Sequence, residues 1–279
     1  MNVIFSDIDG TIYGHGKDMT TKTKEKILSL KKLGVDFVIN TGNANYPKHL
    51  KLGEDLNATY AVLSCGAGIW DIKQKKYIKT YPFDTKIAKK IMDIAIKNGC
   101  GLYYFGEHKQ YLFNTSNDYN EFIFKHAGTR DFINTGEIPD DLIKMEVCFS
   151  SLLEINPLHG EIPNIKKCYN ELVANGIDKE VHIMYMNGTH MEIVANGVSK
   201  GEGIKWLCEN IYKIDPKEVM AIGDSANDIS MLEYAGYSYA MDNSPKNVKD
   251  AAKYHTCDVN QEGLYMAIVD YLHRKKIEI

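Results

Sequence analysis

The feature of this sequence that most constrains its fold is a pair of acidic clusters near opposite ends of the chain. The carboxylates of the two clusters are Asp7 and Asp9, and Asp224 and Asp228. Each cluster follows a short apolar run, at residues 3–5 and 219–222, and such runs are typical of buried parallel strands. Ligands of open α/β sheets bind just beyond the carboxyl ends of the strands. If the two strands are neighbours, four carboxylates meet at one sheet edge, and such a group of hard oxygen ligands favours Mg²⁺.

Strand and helix signals alternate through the first part of the chain and again after Gly197. Strands are predicted at 3–6, 35–40, 60–64, 219–222 and 237–241. Helices are predicted at 21–33, 201–211, 228–235 and 245–252. This alternation predicts an α/β fold with a Rossmann-like parallel sheet core and right-handed crossovers.

The pattern changes between residues 83 and 190. An amphipathic helix at 87–96 is followed by aromatic-rich extended segments and by a hairpin over 181–194 that is predicted to turn at Asn187-Gly188. These signals predict an α+β unit with an antiparallel sheet. We therefore expect a parallel α/β core formed by residues 1–82 and 191–279, interrupted by an inserted α+β domain, residues 83–190.

Composition excludes several function classes. The chain has 279 residues, of which 44% are hydrophobic, enough for a sizeable core. Its net charge of −4 gives no indication of a nucleic-acid or membrane partner. No signal peptide and no run of ~18 apolar residues is evident, so a cytoplasmic protein is expected. The six cysteines form no CxxC pair, which favours reduced thiols; the oligomeric state is not predicted.

The first acidic cluster fits nucleophilic catalysis at phosphorus. Asp7 is the candidate nucleophile, because an ionised carboxylate can attack phosphorus without a base and form an aspartyl phosphate. Asp9 could protonate the leaving oxygen and then deprotonate the hydrolytic water. Gly10 permits a tight chain reversal beside an anion. Taken alone, the same residues also fit a strand that ends in an ordinary turn, because Asp and Gly are common turn residues.

Other polar residues at predicted element ends are candidates for phosphate binding. Thr41-Gly42 ends the second strand, where a hydroxyl and backbone N–H groups can hold a phosphoryl oxygen. Lys200 opens a helix, and an ammonium there suits a phosphate. In isolation, a polar turn and a solvated lysine are the simpler interpretations of these two features.

The second acidic cluster offers a cation ligand and its support. Asp224 could ligate the cation directly. Asp228 could cap the next helix, or it could accept a hydrogen bond that orients a metal ligand without contacting the metal itself. Asn227 could donate to a phosphate. A calcium loop does not fit, because acidic residues at alternate positions, a central glycine and a distal glutamate are missing. The order and strand-end positions of all these residues agree with Mg²⁺-assisted phosphoryl transfer.

With these motifs the chain resembles the haloacid dehalogenase-like (HAD) superfamily, and within it the Cof-type phosphatases with a large inserted cap. The four motifs of that family are matched by residues 7–11, Thr41-Gly42, Lys200 and residues 223–232. The similarity covers both core segments and is weak in the middle of the chain. It implies a HAD-like fold and the activity of a phosphoric monoester hydrolase that needs Mg²⁺.

The resemblance also implies a role for each motif residue. Asp7 would be the nucleophile and a Mg²⁺ ligand, Asp9 the acid/base with its backbone carbonyl on the metal, and Asp224 the remaining protein ligand. The phosphate would be held by the backbone N–H of Ile8 and by Thr41, Gly42, Lys200 and Asn227. This chain departs from the family pattern at two positions: Asn43 stands where an arginine is common, and Cys65 where an asparagine is common.

The leading functional hypothesis is a Mg²⁺-dependent phosphatase that hydrolyses a small phosphorylated metabolite, such as a sugar phosphate or a cofactor-type phosphate, through an aspartyl phosphate. The alternatives are a phosphomutase or phosphotransferase on the same scaffold, and a non-catalytic sensor of a phosphorylated ligand. A sensor has no need of an acid/base at Asp9. Four cap side chains could face the substrate, although packing or solvation is the simpler interpretation of each: Tyr104, Arg130, His182 and Tyr185.

Overall fold

The computed structural model describes residues 2–14, 18–154, 162–186 and 188–278. The chain divides into two compact units. The first unit comprises residues 1–45, 49–78 and 199–279, and the second comprises residues 46–48 and 79–198. The predicted insert, residues 83–190, therefore falls within the second unit.

Strands and helices follow the chain in this order. The strands are β1 (Asn2–Ser6), β2 (Val35–Asn40), β3 (Tyr60–Leu63), β4 (Gly68–Asp71), β5 (Lys76–Thr80), β6 (Gly101–Gly106), β7 (Gln110–Phe113), β8 (Phe132–Asn134), β9 (Leu142–Cys148), β10 (Val181–Met186), β11 (His190–Ala195), β12 (Met220–Gly223), β13 (Tyr237–Ala240) and β14 (Tyr254–His255). The α-helices are α1 (Thr21–Leu30), α2 (Pro47–Asp55), α3 (Thr85–Lys97), α4 (Asn117–Ala127), α5 (Pro163–Ala174), α6 (Lys200–Leu207), α7 (Ile229–Tyr234), α8 (Lys246–Ala251) and α9 (Gly263–Arg274). None of the helices described is long and apolar enough to cross a membrane.

The first unit is built on an eight-stranded sheet in the order β14-β13-β12-β1-β2-β3-β4-β5. All neighbours from β14 to β3 are parallel, which confirms the predicted α/β core. In the centre, β1 pairs with both β12 and β2, so that Ser6 lies opposite Ile222 on one side and Ile39 on the other. The carboxyl ends of these three strands therefore lie side by side.

The central strand β1 is buried on both faces, as its continuous apolar run predicts. Ile4 packs in one hydrophobic cluster, and its neighbours Val3 and Phe5 pack in another on the opposite face. Helix α1 carries Ile27 and Leu30 into the first cluster. The chain leaves the helical turn after α1 at Gly34, whose φ of +68° suits glycine.

Three strands of this sheet were not predicted: β4, β5 and the two-residue β14. β4 runs antiparallel to β3, with Val62 opposite Ile69, and β5 extends the sheet beyond β4. The sheet is therefore parallel in its centre and carries an antiparallel edge. Edges of this kind are common on doubly wound sheets.

The second unit contains a six-stranded sheet in the order β10-β11-β9-β6-β7-β8. Its neighbours are antiparallel except β7 and β8, which are parallel. Helices α3 and α5 pack against one sheet face, where Leu102 and Met145 share a cluster with Ile91 and Ile165. The predicted hairpin is formed by β10 and β11; of its predicted turn residues, Asn187 lies outside the described residues.

Candidate active site

Three of the predicted site residues follow the adjacent ends of β1, β2 and β12. The N–H of Asp7 donates to the carbonyl of Ile222 at 3.0 Å, which continues the pairing of β1 with β12. Thr41 directly follows β2, and Asp224 directly follows β12. Asp7, Asp224 and Asp228 each offer a carboxylate oxygen, and these oxygens all lie within 4.8 Å of one another. The two acidic clusters thus meet at one sheet edge.

Lys200 connects the carboxylates of the two clusters. It is the first residue of α6, and its side chain is only 1% exposed. Its Nζ lies 2.6 Å from Asp7 Oδ1 and 2.6 Å from Asp228 Oδ1. The predicted phosphate-binding lysine is therefore a buried ammonium between two buried carboxylates, where the low local dielectric strengthens both contacts.

The electrostatics of the cluster reflect an excess of negative charge. Burial raises the pKa of Asp7 more than the neighbouring ammonium of Lys200 lowers it, and the carboxylates of Asp228 and Asp224 raise it further. Burial alone would lower the pKa of Lys200, but Asp228 and Asp7 reverse that effect and raise it. A divalent cation beside Asp7 would favour the ionised carboxylate.

Asp228 orders the loop that presents Asp224. Its side chain is fully buried, and its Oδ2 accepts the N–H groups of Asp224 and Ser225, both at 2.9 Å. Its Oδ1 accepts from Lys200. Because both oxygens have donors, Asp228 is better suited to positioning the loop than to ligating a cation.

Gly10 allows the first acidic cluster to approach the second. Its φ is +88°, and its N–H donates to the carbonyl of Tyr13 at 2.8 Å, which closes the turn after β1. A Cβ at this position would overlap the carboxylate of Asp224. Glycine is therefore required both for the backbone conformation and for the close approach.

Asn243 supports the same contact and was not among the predicted site residues. Its Nδ2 donates to the carbonyl of Gly10 at 3.0 Å and to Asp224 Oδ2 at 3.1 Å. It thereby ties the turn after β1 to the proposed metal ligand. The available sequence signal is its place just after the predicted strand 237–241, which forms β13 next to β12.

We expect Gly10→Ala to lower kcat/KM for an aryl phosphate at least about tenfold, because the added Cβ displaces the carboxylate of Asp224. A rise of only ~1.4 kcal/mol in the activation free energy lowers the rate tenfold. Gly34→Ala is the matched control, because Gly34 has a φ of +68° and no described atom lies within 4 Å of the added Cβ. Both variants carry a similar backbone strain of about 1 kcal/mol. Steady-state kinetics and melting curves compare them. An equal loss of activity in both variants would contradict the steric explanation.

Thr41 and Asp9 lie in the loops that follow β2 and β1. Thr41 is buried, and its Oγ1 accepts the backbone N–H of Asn43 at 3.1 Å and contacts the side-chain Nδ2 of Asn43 at 3.3 Å. The hydroxyl oxygen acts as acceptor there, so its hydrogen can be donated to a phosphoryl oxygen. Asp9 is exposed, and its Oδ2 accepts from Asn43 Nδ2 at 2.9 Å.

The remaining predicted phosphate-binding residues occupy the loops after β1, β2 and β12. The side chain of Ile8 is buried in the core, which leaves its backbone as the polar group at that position. Gly42 and Asn227 are both half-buried, and Asn227 Oδ1 accepts from Ser225 Oγ at 2.8 Å. The strands that these three loops follow are neighbours in the sheet, in the order β12-β1-β2.

The four side chains suggested as substrate-facing each have a partner in the second unit. His182 Nδ1 lies 2.7 Å from the carbonyl of Val198, and the hydroxyl of the buried Tyr104 donates to the carbonyl of Glu137 at 3.0 Å. Arg130 pairs with Glu121 at 2.7 Å. The ring of Tyr185 stacks on that of Tyr169, with the ring centroids 4.7 Å apart. Each of these contacts gives the side chain a structural role. Their contact with a substrate remains a prediction.

The donor set of the cluster fits Mg²⁺. Among the residues that the structure describes, Asp7, Asp224 and Asp228 form the one group of three or more potential metal ligands. All are hard oxygen donors, which Mg²⁺ prefers. Since Asp228 is committed to Lys200 and to two backbone N–H groups, Asp7 and Asp224 are the better candidates for direct ligands.

Comparison with known proteins identifies the family. Residues 4–268 match the family described as haloacid dehalogenase-like hydrolase. The chain belongs to this family. As a HAD hydrolase whose relatives are named phosphatases, it is a phosphoric monoester hydrolase, as its motifs predicted.

Relatives of this HAD hydrolase extend over nearly its whole length. It is 25% identical over 273 residues to the 5-amino-6-(5-phospho-D-ribitylamino)uracil phosphatase YbjI of Escherichia coli (strain K12), with 95% of this chain and 93% of the relative covered. It is also 25% identical over 274 residues to the phosphatase YcsE of Bacillus subtilis (strain 168), which carries the same substrate in its name, with 96% and 94% covered. Among solved structures, the HAD subclass IIB sugar phosphatase BT4131 shares the fold, with a TM-score of 0.81, 20% identity and 97% and 99% coverage.

Proposed function

We propose that this HAD hydrolase is a Mg²⁺-dependent phosphatase of a small phosphorylated metabolite and that it works through an aspartyl phosphate at Asp7. The observation that carries the proposal is the buried cluster at the sheet edge. There Asp7 contacts Lys200 at 2.6 Å and lies with Asp224 and Asp228 in one group of carboxylates. A buried carboxylate next to an ammonium, with more negative charge nearby, suits nucleophilic attack beside a bound cation.

In this proposal one set of residues binds the metal ion and another binds the phosphate. Asp7, the backbone carbonyl of Asp9 and Asp224 would hold Mg²⁺, which supplies positive charge next to the phosphoryl oxygens. Asp228 positions both residues by accepting hydrogen bonds from the side chain of Lys200 and from the backbone N–H of Asp224. The phosphate would be bound by the backbone N–H of Ile8 and by Thr41, Gly42, Lys200 and Asn227.

The proposed reaction has two steps. In the first, an oxygen of Asp7 forms a bond to phosphorus, the bond between phosphorus and the leaving oxygen breaks, and Asp9 gives its proton to that oxygen. In the second, Asp9 takes a proton from water as the water oxygen bonds to phosphorus. The bond to Asp7 then breaks, phosphate leaves, and both carboxyl groups return to their starting states.

The substrate class is proposed from the names of similar proteins. YbjI and YcsE are named for a ribitylamino-uracil phosphate, and BT4131 is described as a sugar phosphatase. We therefore propose a sugar phosphate or a cofactor-type phosphate as substrate. Residues 83–190 are proposed as a cap that excludes water and selects the leaving group. The cytoplasmic location expected from the sequence stays a prediction.

We expect the purified chain to release inorganic phosphate from p-nitrophenyl phosphate only when Mg²⁺ is present. Chelation should remove this activity, and added Mg²⁺ should restore it. Ca²⁺ should substitute poorly, because its larger and looser coordination shell misplaces the nucleophile. Full activity after exhaustive chelation and dialysis into metal-free buffer would contradict the metal requirement.

The same assay separates hydrolysis from phosphoryl transfer. With a panel of sugar phosphates, a phosphatase releases phosphate and alcohol in equal amounts. A phosphomutase instead converts one sugar phosphate into its isomer with little free phosphate. A sensor releases nothing from any ester.

A further inference from the structure

Asn43 lies between two side chains of the candidate active site. Its Nδ2 donates to Asp9 Oδ2 at 2.9 Å and lies 3.3 Å from Thr41 Oγ1. Because β1 and β2 are adjacent parallel strands, the loops that follow them lie side by side. The amide of Asn43 therefore joins the loop after β2 to the loop after β1.

The backbone of Asn43 is held by hydrogen bonds at both its N–H and its carbonyl group. Its N–H donates to Thr41 Oγ1 at 3.1 Å, and its carbonyl accepts the N–H of Ser64 at 2.8 Å. Ser64 directly follows β3, so the loop is held to the strand on its other side as well. A side chain on a fixed backbone has less freedom to lose when it orients a partner.

Asp9 needs such an anchor more than the other carboxylates do. Asp7 and Asp228 are buried and bound to Lys200, whereas the side chain of Asp9 is exposed. An exposed carboxyl group samples several rotamers. Proton transfer requires the carboxyl oxygen to lie within hydrogen-bond reach of the reacting atom. Asn43 contacts Oδ2 of Asp9, which leaves Oδ1 to exchange the proton.

We propose that Asn43 is a positioning residue for Asp9, whose amide holds one carboxyl oxygen so that the other delivers a proton to the leaving oxygen of the ester. This inference rests on the proposed phosphatase function. As the bond from phosphorus to the leaving oxygen breaks, the proton passes from Asp9 to that oxygen, and Asn43 neither gives nor takes a proton. Its effect should therefore grow with the need of the leaving group for a proton.

The test compares two esters of similar shape, phenyl phosphate and p-nitrophenyl phosphate. Asn43→Leu keeps most of the side-chain volume and removes the amide. Phenolate is the more basic leaving group, so we expect the variant to lower kcat/KM for phenyl phosphate about tenfold, the usual effect of losing a hydrogen bond to a charged group. For p-nitrophenyl phosphate the loss should be less than about twofold, because its leaving group needs little protonation.

A second comparison uses variants of Asp9. Asp9→Asn alone should lower kcat/KM for phenyl phosphate by about 10²–10⁴-fold, the usual contribution of a general acid. Adding Asn43→Leu to it should cause no further loss, because the group that Asn43 positions is already gone. A merely structural role of Asn43 would lower activity with both esters equally and would add to the loss in Asp9→Asn.

Asn98→Leu is the matched control. Asn98 Nδ2 donates to Glu171 Oε2 at 2.9 Å in the second unit, the same kind of contact at the same length as that of Asn43. This control should leave the ratio of the two kcat/KM values unchanged. If the melting curve shows that Asn43→Leu does not fold, Asn43→Ala replaces it in the same comparison.

The outcomes separate this inference from the proposed function. Equal losses with both esters, or additive losses with Asp9→Asn, overturn the role of Asn43 and leave the phosphatase function intact. A wild-type chain that releases no phosphate from either ester in the presence of Mg²⁺ contradicts the proposed function, and the role of Asn43 with it.

Discussion

Asp7→Asn is expected to reduce phosphate release to background while the protein stays folded. The substitution replaces the carboxylate oxygen that would bond to phosphorus by an amide, which is a poor nucleophile, and it conserves volume. Lys200 keeps Asp228 as a partner at 2.6 Å, so the buried ammonium is still paired. Release of phosphate from p-nitrophenyl phosphate in Mg²⁺, together with melting curves, measures both parts of the prediction.

Stability without metal gives a second readout of the same variant. Burial raises the pKa of Asp7 more than Lys200 lowers it, so an ionised Asp7 is unfavourable when no cation is bound. In EDTA, Asp7→Asn should therefore melt at the same temperature as the wild type or higher. It should gain less from added Mg²⁺, because a stabilising ligand acts through its affinity for the folded state.

The control for Asp7→Asn is Asp250→Asn, which makes the same chemical change at an exposed carboxylate paired with Lys246. It should keep both the activity and the response to Mg²⁺. Turnover near the wild-type level in Asp7→Asn would contradict the covalent mechanism. Asp7→Ala serves as a second variant, because alanine cannot revert to aspartate by deamidation.

The parallel core was predictable because its strands are buried on both faces. β1 and β12 contain the apolar runs 3–5 and 220–222, and each strand is followed directly by a carboxylate, Asp7 after β1 and Asp224 after β12. Two parallel strands place such residues at the same sheet edge whatever the length of the chain between them. The two acidic clusters meet because these two strands are also neighbours in the sheet, which the sequence alone did not establish.

The antiparallel edge was not predictable in the same way. Residues 64–68 are glycines and small residues without an alternating apolar pattern, and β4 begins at Gly68. β5 has no fully buried residue, so it lacks the apolar pattern of a core strand.

β8, in the six-stranded sheet, was not predictable either. It has only three residues, two of them exposed. Its parallel pairing with β7 depends on the packing of the whole unit and not on its local sequence.

The supporting residues of the site were harder to predict than its carboxylates. Asn243 acts through contacts with Gly10 and Asp224, which are 233 and 19 positions away in the chain. Asn43 stood out in the sequence only as a departure from the family pattern. Its contact with Asp9 spans 34 positions and depends on the pairing of β1 with β2. Loop side chains of this kind have no periodic signal.

Lys200→Met is expected to lower both stability and activity. Lys200 is only 1% exposed and contacts Asp7 and Asp228, so methionine would leave two buried carboxylates without their shared counterion. Removing one partner of a buried ion pair typically costs about 3–5 kcal/mol. Activity should fall at least about 100-fold, because a buried ammonium that would also bind the transferring phosphoryl group is lost.

Lys144→Met is a matched control for the loss of a buried ammonium. Lys144 has a side chain with 0% exposure and contacts Glu146 at 2.7 Å and Glu192 at 2.6 Å, all within the second unit. The two variants therefore remove the same group from the same kind of environment. Both should melt at lower temperature than the wild type, and Lys144→Met should keep the greater share of its activity on p-nitrophenyl phosphate.

The response to Mg²⁺ should distinguish these two losses. A divalent cation that binds beside Asp7 supplies positive charge where Lys200 supplied it, so Mg²⁺ should raise the melting temperature of Lys200→Met relative to the same variant in EDTA. It should raise that of Lys144→Met by no more than it raises the wild type. Adding Asp228→Asn to Lys200→Met should also recover stability without recovering activity, since it removes one uncompensated charge and restores no phosphate contact. Equal responses of the two lysine variants to Mg²⁺ would mean that the ion does not bind among these carboxylates, and would contradict the metal site on which the proposed mechanism depends.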